Sequence, residues 1–194
     1  MNTRFYNFLK PIVHVYYRTI LGVRAYGAEN VPREGGFILC SNHLSARDPF
    51  VIATCTPRHL RFMAKAELFQ NRLVGKFISS IGAFPIERGK SDLGAIRESM
   101  KILSEGHVLG IFPQGTRSRE NQHTHMEAGV ALIALRSGKP VLPVNISEKY
   151  HLFGRTRVTF GKPLTFEDVG RRFDREALEM VTERIESAIW AMQP

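Results

Sequence analysis

Cysteine is scarce in this chain: only two are present, Cys40 and Cys55. Neither belongs to a C-x-x-C pair, and no spacing typical of a zinc site is present. Both lie among apolar residues, as Cys40 does at the end of the segment Gly36–Cys40. We therefore expect two buried thiols in a reducing compartment and no bound metal.

Acidic residues are also few, since 18 Asp and Glu stand against 27 Lys and Arg and leave a formal net charge of +9. This excess favours an anionic partner: nucleic acid, an acidic lipid surface, an acidic carrier protein or a phosphorylated substrate. The sequence has no RNA-binding signature and no recurrent aromatic platform, so we expect no nucleic-acid partner. The length of 194 residues suits one domain.

The chain has no long hydrophobic run. Residues 4–23 come closest, but polar residues interrupt them, and a spanning helix needs roughly 20 mostly apolar residues. They also lack the basic start, uninterrupted apolar stretch and cleavage site of a secretory signal, so we expect none. The polar residues follow one another at helical spacing, which places them on one face of a helix. They are Asn7, Lys10, His14 and Arg18.

Apolar and aromatic side chains fill the rest of this predicted helix. A helix with a broad apolar face and a narrow cationic row can lie in a membrane interface. The alternative is that it packs its apolar side on the core of the domain. Pro11 would kink the helix or mark its true start. We interpret residues 1–24 as an amphipathic membrane-interface helix and residues 25–194 as the catalytic domain.

Two well-known site motifs are also missing. No G-x-S-x-G elbow is present, which argues against the serine nucleophile of an α/β-hydrolase. The run 89–91, Gly-Lys-Ser, resembles the end of a P-loop, but the position that should hold its first glycine is Phe84. His123, His125 and Glu127 could suggest a metal site, but their polar flanks favour a solvated turn.

Short apolar runs alternate with helical patterns along the body of the chain. Segments Phe37–Ser41 and Val141–Ile146 predict buried strands, and residues 91–105 predict the clearest helix, capped by Ser91. Further strands are predicted at 61–64, 83–86, 108–112 and 157–160, and further helices at 71–80, at 128–137 and after Asp174. This alternation predicts an α/β fold with a largely parallel or mixed sheet. The longest polar loop, 113–127, is where a site would lie.

A histidine and an aspartate stand five residues apart directly after the first buried strand. In one continuous helix His43 and Asp48 would not share a face, but in a loop from strand to helix they can turn toward each other. Asp48 could then fix the tautomer of the imidazole and leave the other nitrogen free to take a proton from a substrate hydroxyl. The alternative is that Asp48 only caps the helix that follows and that His43 is a polar loop residue.

Two cationic turns after predicted strands are candidate phosphate sites. In the first, Gly115 permits close approach of the backbone, Thr116 offers a hydroxyl and Arg117 can bind phosphate in a bidentate way. The second contains Arg88. Either turn alone could be a solvated basic loop. With the histidine loop after a third strand, the three favour one shared site at the carboxyl ends of the strands.

Four blocks of sequence, in order, resemble the glycerolipid acyltransferase family. Residues 42–48, Asn-His-Leu-Ser-Ala-Arg-Asp, resemble its NHxSxxD block. Residues 82–88 are similar to the second block, which ends in a phosphate-binding arginine, and residues 112–118 to the third, usually FPEGTRS. Residues 141–146 are similar to the fourth, a hydrophobic strand with a proline. The resemblance runs from about residue 25 to about residue 163, and bacterial members look closest.

The resemblance implies an αβα fold and a reaction. A fatty acyl group passes from acyl-CoA or acyl-acyl carrier protein to the sn-2 hydroxyl of 1-acyl-sn-glycerol-3-phosphate, with no bound cofactor. The resemblance makes His43 the general base and Asp48 its orienting partner. It places Lys65, in another family-like element, near the reacting centre. It also implies a peripheral or monotopic protein at the cytoplasmic face of a membrane.

The family pattern further implies that the acceptor phosphate is bound by Arg88 and by the third block, with Gln114, Gly115, Thr116 and Arg117. Gln114 departs from the pattern, because the family normally carries glutamate there. The exchange removes a charge and adds two donors. It leaves another lysolipid acceptor open, and a non-catalytic basic module that binds lipid or nucleic acid is the remaining alternative.

Overall fold

The computed structural model describes residues 1–86, 93–115, 126–170 and 173–193. The helices in these ranges are α1 (Thr3–Thr19), α2 (Asp48–Cys55), α3 (Arg72–Ser80), α4 (Leu93–Ser104), α5 (Gly129–Ser137) and α6 (Arg175–Trp190). The strands are β1 (Arg24–Tyr26), β2 (Phe37–Ser41), β3 (Leu60–Lys65), β4 (Ala83–Ile86), β5 (Val108–Ile111), β6 (Val141–Ile146) and β7 (Arg157–Phe160). Short 3-10 turns cover Ala28–Asn30 and Ala66–Phe69.

The strands of the described residues form one seven-stranded sheet in the order β1-β7-β6-β2-β5-β3-β4. Strands β6, β2, β5, β3 and β4 are parallel to one another. β7 is antiparallel to β6 and β1 is parallel to β7, so the two strands at this edge run the opposite way. The sheet is mixed but mostly parallel, which confirms the predicted α/β class.

The central strand β2 shows why helices cover both faces of the sheet. Ile38 and Cys40 belong to one buried apolar cluster, whereas Phe37 and Leu39 belong to another. Successive side chains of a strand point to opposite faces, so β2 needs cover on both sides. Helices α4, α5 and α6 pack on the first face, and α1 and α2 pack on the second. The αβα arrangement is thereby confirmed.

Most predicted element boundaries agree with the structure to within two residues. Asn71 and Asp174 cap α3 and α6, because their side chains accept hydrogen bonds from amides of the first turn. α5 ends at Gly138, whose φ of 61° lies in the left-handed region. The predicted cap Ser91 lies outside the described residues. The sequence pattern does not predict β1, because its three residues are all exposed and show no alternation.

Helix α1 packs on the domain through part of its polar row. Lys10 Nζ donates a hydrogen bond to the carbonyl oxygen of Thr56, and His14 Nδ1 lies 3.2 Å from the carbonyl oxygen of Thr54. Both carbonyls lie at the C-terminal end of α2, where helix acceptors lack intrahelical partners and carry partial negative charge. Tyr17 on the same side of α1 is buried. The polar row therefore serves partly to dock the helix, a role that its spacing does not reveal.

The other side of α1 exposes apolar side chains. Phe8 is 68% exposed, Ile12 53% and Val15 57%. The helix continues through Pro11 and neither begins nor ends there. One side of α1 thus packs on the domain, as the alternative prediction has it, while the opposite side exposes a stripe of apolar side chains. Within the ranges that the structure describes, no helix is both long enough and apolar enough to cross a membrane.

Candidate active site

Parallel strands bring the candidate residues to one edge of the sheet. β2 ends at Ser41, β5 at Ile111 and β3 at Lys65, and the three strands are adjacent and parallel. Their carboxyl ends therefore lie side by side, at the edge where ligands of such sheets bind. The segment that holds His43 leaves β2, and the segment that holds Gln114 leaves β5.

Asn42 fixes the start of the histidine loop. Its side chain is fully buried and bonds both backbone groups of Ile146 at the end of β6. Asn42 Nδ2 donates to the carbonyl oxygen of Ile146 at 2.9 Å, and Asn42 Oδ1 accepts from the amide of Ile146 at 2.8 Å. This amide clamp extends the pairing of β2 with β6 by one residue. The sequence assigns no separate role to Asn42, although this residue opens the block at 42–48 that resembles NHxSxxD.

The loop then folds over the carboxylate of Asp48. Asp48 Oδ2 accepts from His43 Nδ1 at 2.7 Å, from the amide of Leu44 at 2.7 Å and from the amide of Ser45 at 2.8 Å. Asp48 is fully buried, and the His43 side chain is 12% exposed. Buried carboxylates that accept several such hydrogen bonds are stabilised in the charged form. The five-residue spacing therefore does form a histidine–aspartate pair.

Asp48 does not cap α2, contrary to the simpler alternative. It is the first residue of that helix, and Arg47 occupies the cap position without a capping side-chain bond. The carboxylate turns back to the loop and binds amides that precede the helix. Its negative charge still lies in the first turn, where the helix dipole favours it.

Aromatic rings hold the imidazole in place. The ring of His43 stacks on that of Phe112, with centroids 4.2 Å apart and an interplanar angle of 24°. Phe112 stacks in turn on Phe62 of β3, at 5.8 Å and 11°. Because Nδ1 is engaged by Asp48, Nε2 is the nitrogen that can take a proton from a substrate. No pattern in the sequence predicts this role for either phenylalanine.

Gln114 supports the loop from the other side. Its Oε1 accepts a hydrogen bond from the backbone amide of His43 at 2.8 Å, and the residue is 8% exposed. A glutamate oxygen could accept the same bond. Gly115 follows with a φ of 65°, in the left-handed region that favours glycine, and a Cβ there would displace the end of the Glu127 side chain.

The remaining predicted site residues divide into two groups. Lys65 lies at the end of β3, where its Nζ is 2.9 Å from Glu67 Oε1 and both side chains are about half exposed. Arg88, Thr116 and Arg117 lie outside the described residues. So do the two histidines at 123 and 125. Among the residues that are described, no group of three or more His, Cys, Asp or Glu could hold a metal ion.

The two cysteines are poor nucleophiles. Burial raises the pKa of the Cys40 thiol well above its usual range and that of Cys55 to about 11. The thiolate is the reactive form of cysteine. Neither thiol is therefore activated near neutral pH, although Cys40 lies only three positions before His43.

An apolar cavity opens beside the histidine loop. It encloses about 820 Å³ of empty space, part of it open to solvent, and α1, α2, α3 and β3 contribute to its wall. Ala46 and Pro49 line it where the histidine loop passes into α2. Phe50, Phe62 and Ile78 line it further along. A wall of this composition fits a hydrocarbon group.

Comparisons with known proteins agree with the motifs. A family model described as Acyltransferase matches residues 22–147. The chain is 33% identical over 174 residues to the 1-acyl-sn-glycerol-3-phosphate acyltransferase of Bacillus subtilis, an alignment that covers 87% of this chain and 86% of the relative. It is 31% identical over 192 residues to the enzyme of the same name from Streptococcus pneumoniae, with 94% of this chain and 71% of the relative covered.

The fold is likewise similar to a solved structure. The crystal structure of the 1-acyl-sn-glycerophosphate acyltransferase from Thermotoga maritima superposes with a TM-score of 0.74, at 24% identity, over 96% of this chain and 80% of that one. The family match covers well over half of the chain and includes the loop that carries His43 and Asp48. The chain therefore belongs to the acyltransferase family.

Proposed function

We propose that this protein transfers a fatty acyl group from a thioester to the sn-2 hydroxyl of 1-acyl-sn-glycerol-3-phosphate, which gives phosphatidic acid. The observation that carries the proposal is the buried pair of His43 and Asp48 at the carboxyl edge of the sheet. The names of the relatives from Bacillus subtilis and Streptococcus pneumoniae support this acceptor. The donor is acyl-CoA or acyl-acyl carrier protein. Both are anionic, and the net charge of +9 suits either.

The geometry of the pair supports direct transfer between the two bound substrates. His43 Nε2 removes the proton of the acceptor hydroxyl while the oxygen forms a bond to the thioester carbonyl carbon. Asp48 stabilises the imidazolium that results. The tetrahedral intermediate collapses, the carbon–sulfur bond breaks, and the departing thiolate takes the proton from His43. A thiolate leaves readily, because a free thiol has a pKa of about 8.5.

Other residues are assigned to substrate binding by the family pattern. We propose that Arg88 and Arg117, with Thr116 and Gly115, bind the acceptor phosphate and orient its hydroxyl. Lys65, which ends β3 at the same edge of the sheet, helps to hold the oxyanion. The apolar cavity beside Ala46 and Pro49 takes a hydrocarbon chain of one of the substrates.

We propose that the outward side of α1 lies in the interface of the cytoplasmic face of a membrane. Its exposed stripe is continued by α3, where Leu73 is 82% exposed and Phe77 forms an edge contact with Phe5 of α1, with centroids 6.3 Å apart. Phe153, which is 74% exposed, extends this apolar surface. It lies beside the C-terminal end of α1, since its amide donates a hydrogen bond to the carbonyl oxygen of Ile20. Neither α1 nor α3 contains an acidic residue, and both contain Arg or Lys. Exposed apolar side chains with only cationic neighbours suit an anionic lipid surface.

Acyl transfer by the purified protein tests the reaction. Lysophosphatidic acid in vesicles would be offered with acyl-CoA and, separately, with acyl-acyl carrier protein. The His43→Ala variant, checked for an unchanged circular dichroism spectrum, serves as the control. We expect phosphatidic acid from the unmodified protein and at most a trace from the variant. Equal rates from both proteins would reject the general-base role, and no product with either donor would reject the proposed reaction.

Sedimentation with vesicles tests the membrane surface. A variant with serine at three outward positions of α1 (Phe8, Ile12 and Val15) should lose most of its binding to anionic vesicles, because about half or more of each side chain is exposed. A matched control carries serine at Leu93 and Met180, exposed positions on α4 and α6 that are 66% and 39% exposed. If the two variants bind equally well, α1 is not the docking element.

A further inference from the structure

A tyrosine far from the histidine loop in sequence contacts the catalytic aspartate. Tyr150 lies between β6 and β7, and its hydroxyl donates a hydrogen bond to Asp48 Oδ1 at 2.7 Å. Tyr150 is buried, at 9% exposure. It lies beyond all four family-like blocks of the sequence, the last of which ends at Ile146.

The hydrogen bonds to Asp48 are divided unequally between its two oxygens. Oδ2 accepts from His43 Nδ1 and from the amides of Leu44 and Ser45. Oδ1 accepts from the hydroxyl of Tyr150. The two sets of donors approach the carboxylate from different parts of the chain, so together they fix its rotation about the Cβ–Cγ bond. Without Tyr150, Oδ1 would be a buried charged oxygen that has lost this donor, and the loss would destabilise the folded protein.

Tyr150 is a permanent donor in this position. Burial raises the pKa of its hydroxyl far above the usual range, and the neighbouring charge of Asp48 raises it further. The hydroxyl therefore keeps its proton throughout the working pH range. Its ring is also held in place, because it lies 6.0 Å from the ring of Tyr17 on α1.

We propose that Tyr150 is a positioning residue for acyl transfer, which acts on His43 through Asp48 and does not touch the substrates. Its hydroxyl keeps Oδ2 directed at His43 Nδ1. It also withdraws negative charge toward Oδ1 and so limits how tightly the pair of His43 and Asp48 holds a proton. The inference rests on the proposed role of His43 as the base.

The Tyr150→Phe variant removes this bond and keeps the ring. We expect kcat to fall roughly tenfold, which corresponds to about 1.4 kcal/mol of lost transition-state stabilisation, with little change in the KM of lysophosphatidic acid. The pH at which the acid limb of kcat/KM falls should rise. Removal of a donor from the carboxylate favours protonation, whichever member of the pair takes the proton.

The neighbouring titratable groups are unchanged by this substitution. In the described part of the chain, the groups besides Asp48 that act electrostatically on Tyr17 or Tyr150 are Arg47, Tyr16, Tyr17 and Cys55. Tyr17→Phe is the matched control, because it removes a hydroxyl from the ring that lies 6.0 Å from the ring of Tyr150 and leaves the bond to Asp48. This control should keep both the rate and the pH profile of the unmodified protein.

A nuclear magnetic resonance titration of the His43 imidazole separates this proposal from the proposed reaction, since it needs no substrate. Tyr150→Phe should move the titration midpoint of that ring to higher pH, and Tyr17→Phe should not. A lower melting temperature with an unmoved midpoint and an unmoved acid limb would show that Tyr150 serves packing only, and would overturn the inference. A moved midpoint in a protein without transferase activity would support the positioning role and reject the reaction.

Discussion

The charge of Asp48 can be separated from its geometry by the substitution Asp48→Asn. An asparagine has one acceptor oxygen and one NH₂ group, so it could in principle present either of them to His43. The amides of Leu44 and Ser45 point at the same carboxylate oxygen as His43 Nδ1. An NH₂ group at that position would face two further donors, whereas an oxygen satisfies all three.

The asparagine oxygen is therefore held on the His43 side, and its NH₂ group faces Tyr150, whose hydroxyl can rotate to accept. The tautomer of His43 is preserved, so the variant loses only the negative charge that stabilises the imidazolium. Two unit charges about 4 Å apart at an effective dielectric constant of about 20 interact by about 4 kcal/mol. Since about 1.4 kcal/mol is a tenfold change in rate, we expect kcat to fall about a thousandfold.

The assay is acyl transfer to lysophosphatidic acid at saturating donor, with the melting temperature measured in parallel. The double variant that combines His43→Ala with Asp48→Asn should be no slower than His43→Ala alone, because the aspartate acts through the histidine. A loss smaller than about tenfold in Asp48→Asn would refute the reasoning that the carboxylate stabilises a cationic His43.

Three further predictions follow from single contacts. Gln114→Glu should keep the rate of acyl transfer within about fivefold, because a glutamate oxygen can still accept from the amide of His43, whereas Gln114→Leu should lower this rate at least tenfold. Equal rates for the two variants would argue that the bond from the His43 amide does not matter for catalysis. Asn42→Ala leaves both backbone groups of Ile146 without their partner and should lower the melting temperature by roughly 5–10 °C, measured by calorimetry, and a change under 2 °C would contradict the clamp. Cys55, which is partly exposed and has a pKa raised to about 11, should react with a thiol reagent at pH 8 far more slowly than in urea-unfolded protein, and fast labelling of the native state would contradict the raised pKa.

The sequence predicts the fold class because its strands are short, apolar and regularly spaced. Segments such as Phe37–Ser41 are buried on both faces, and burial on both faces is what a continuous apolar run indicates. β1 is not predicted, because an exposed edge strand of three residues shows no such pattern. The sequence also does not predict how α1 docks on the domain. Lys10 and His14 bind carbonyls at the end of α2, and no periodicity within α1 can reveal a partner outside it.

The local half of the site is predictable for a similar reason. His43, Asp48 and the amides between them lie within six residues, so the loop can close on the carboxylate by local turns alone. The resemblance to known motifs adds Arg88 and Arg117, from the second and third blocks, to the predicted site. It also gives Gln114 a role in substrate binding, which stays a prediction, but it does not reveal that the Gln114 oxygen accepts a hydrogen bond from the backbone amide of His43. That contact depends on which strand lies beside β2.

The long-range half of the site follows from strand order. β2 lies between β5 and β6, and all three are parallel, so the segments that leave these strands must meet the segment that leaves β2. The segment after β5 supplies Phe112 behind the imidazole and Gln114 at the amide of His43. The segment after β6 supplies Tyr150 at Asp48. The histidine loop is thus held from both neighbouring strands. Any substitution that shifts the register of β5 or β6 against β2 should therefore reduce catalysis before it unfolds the domain.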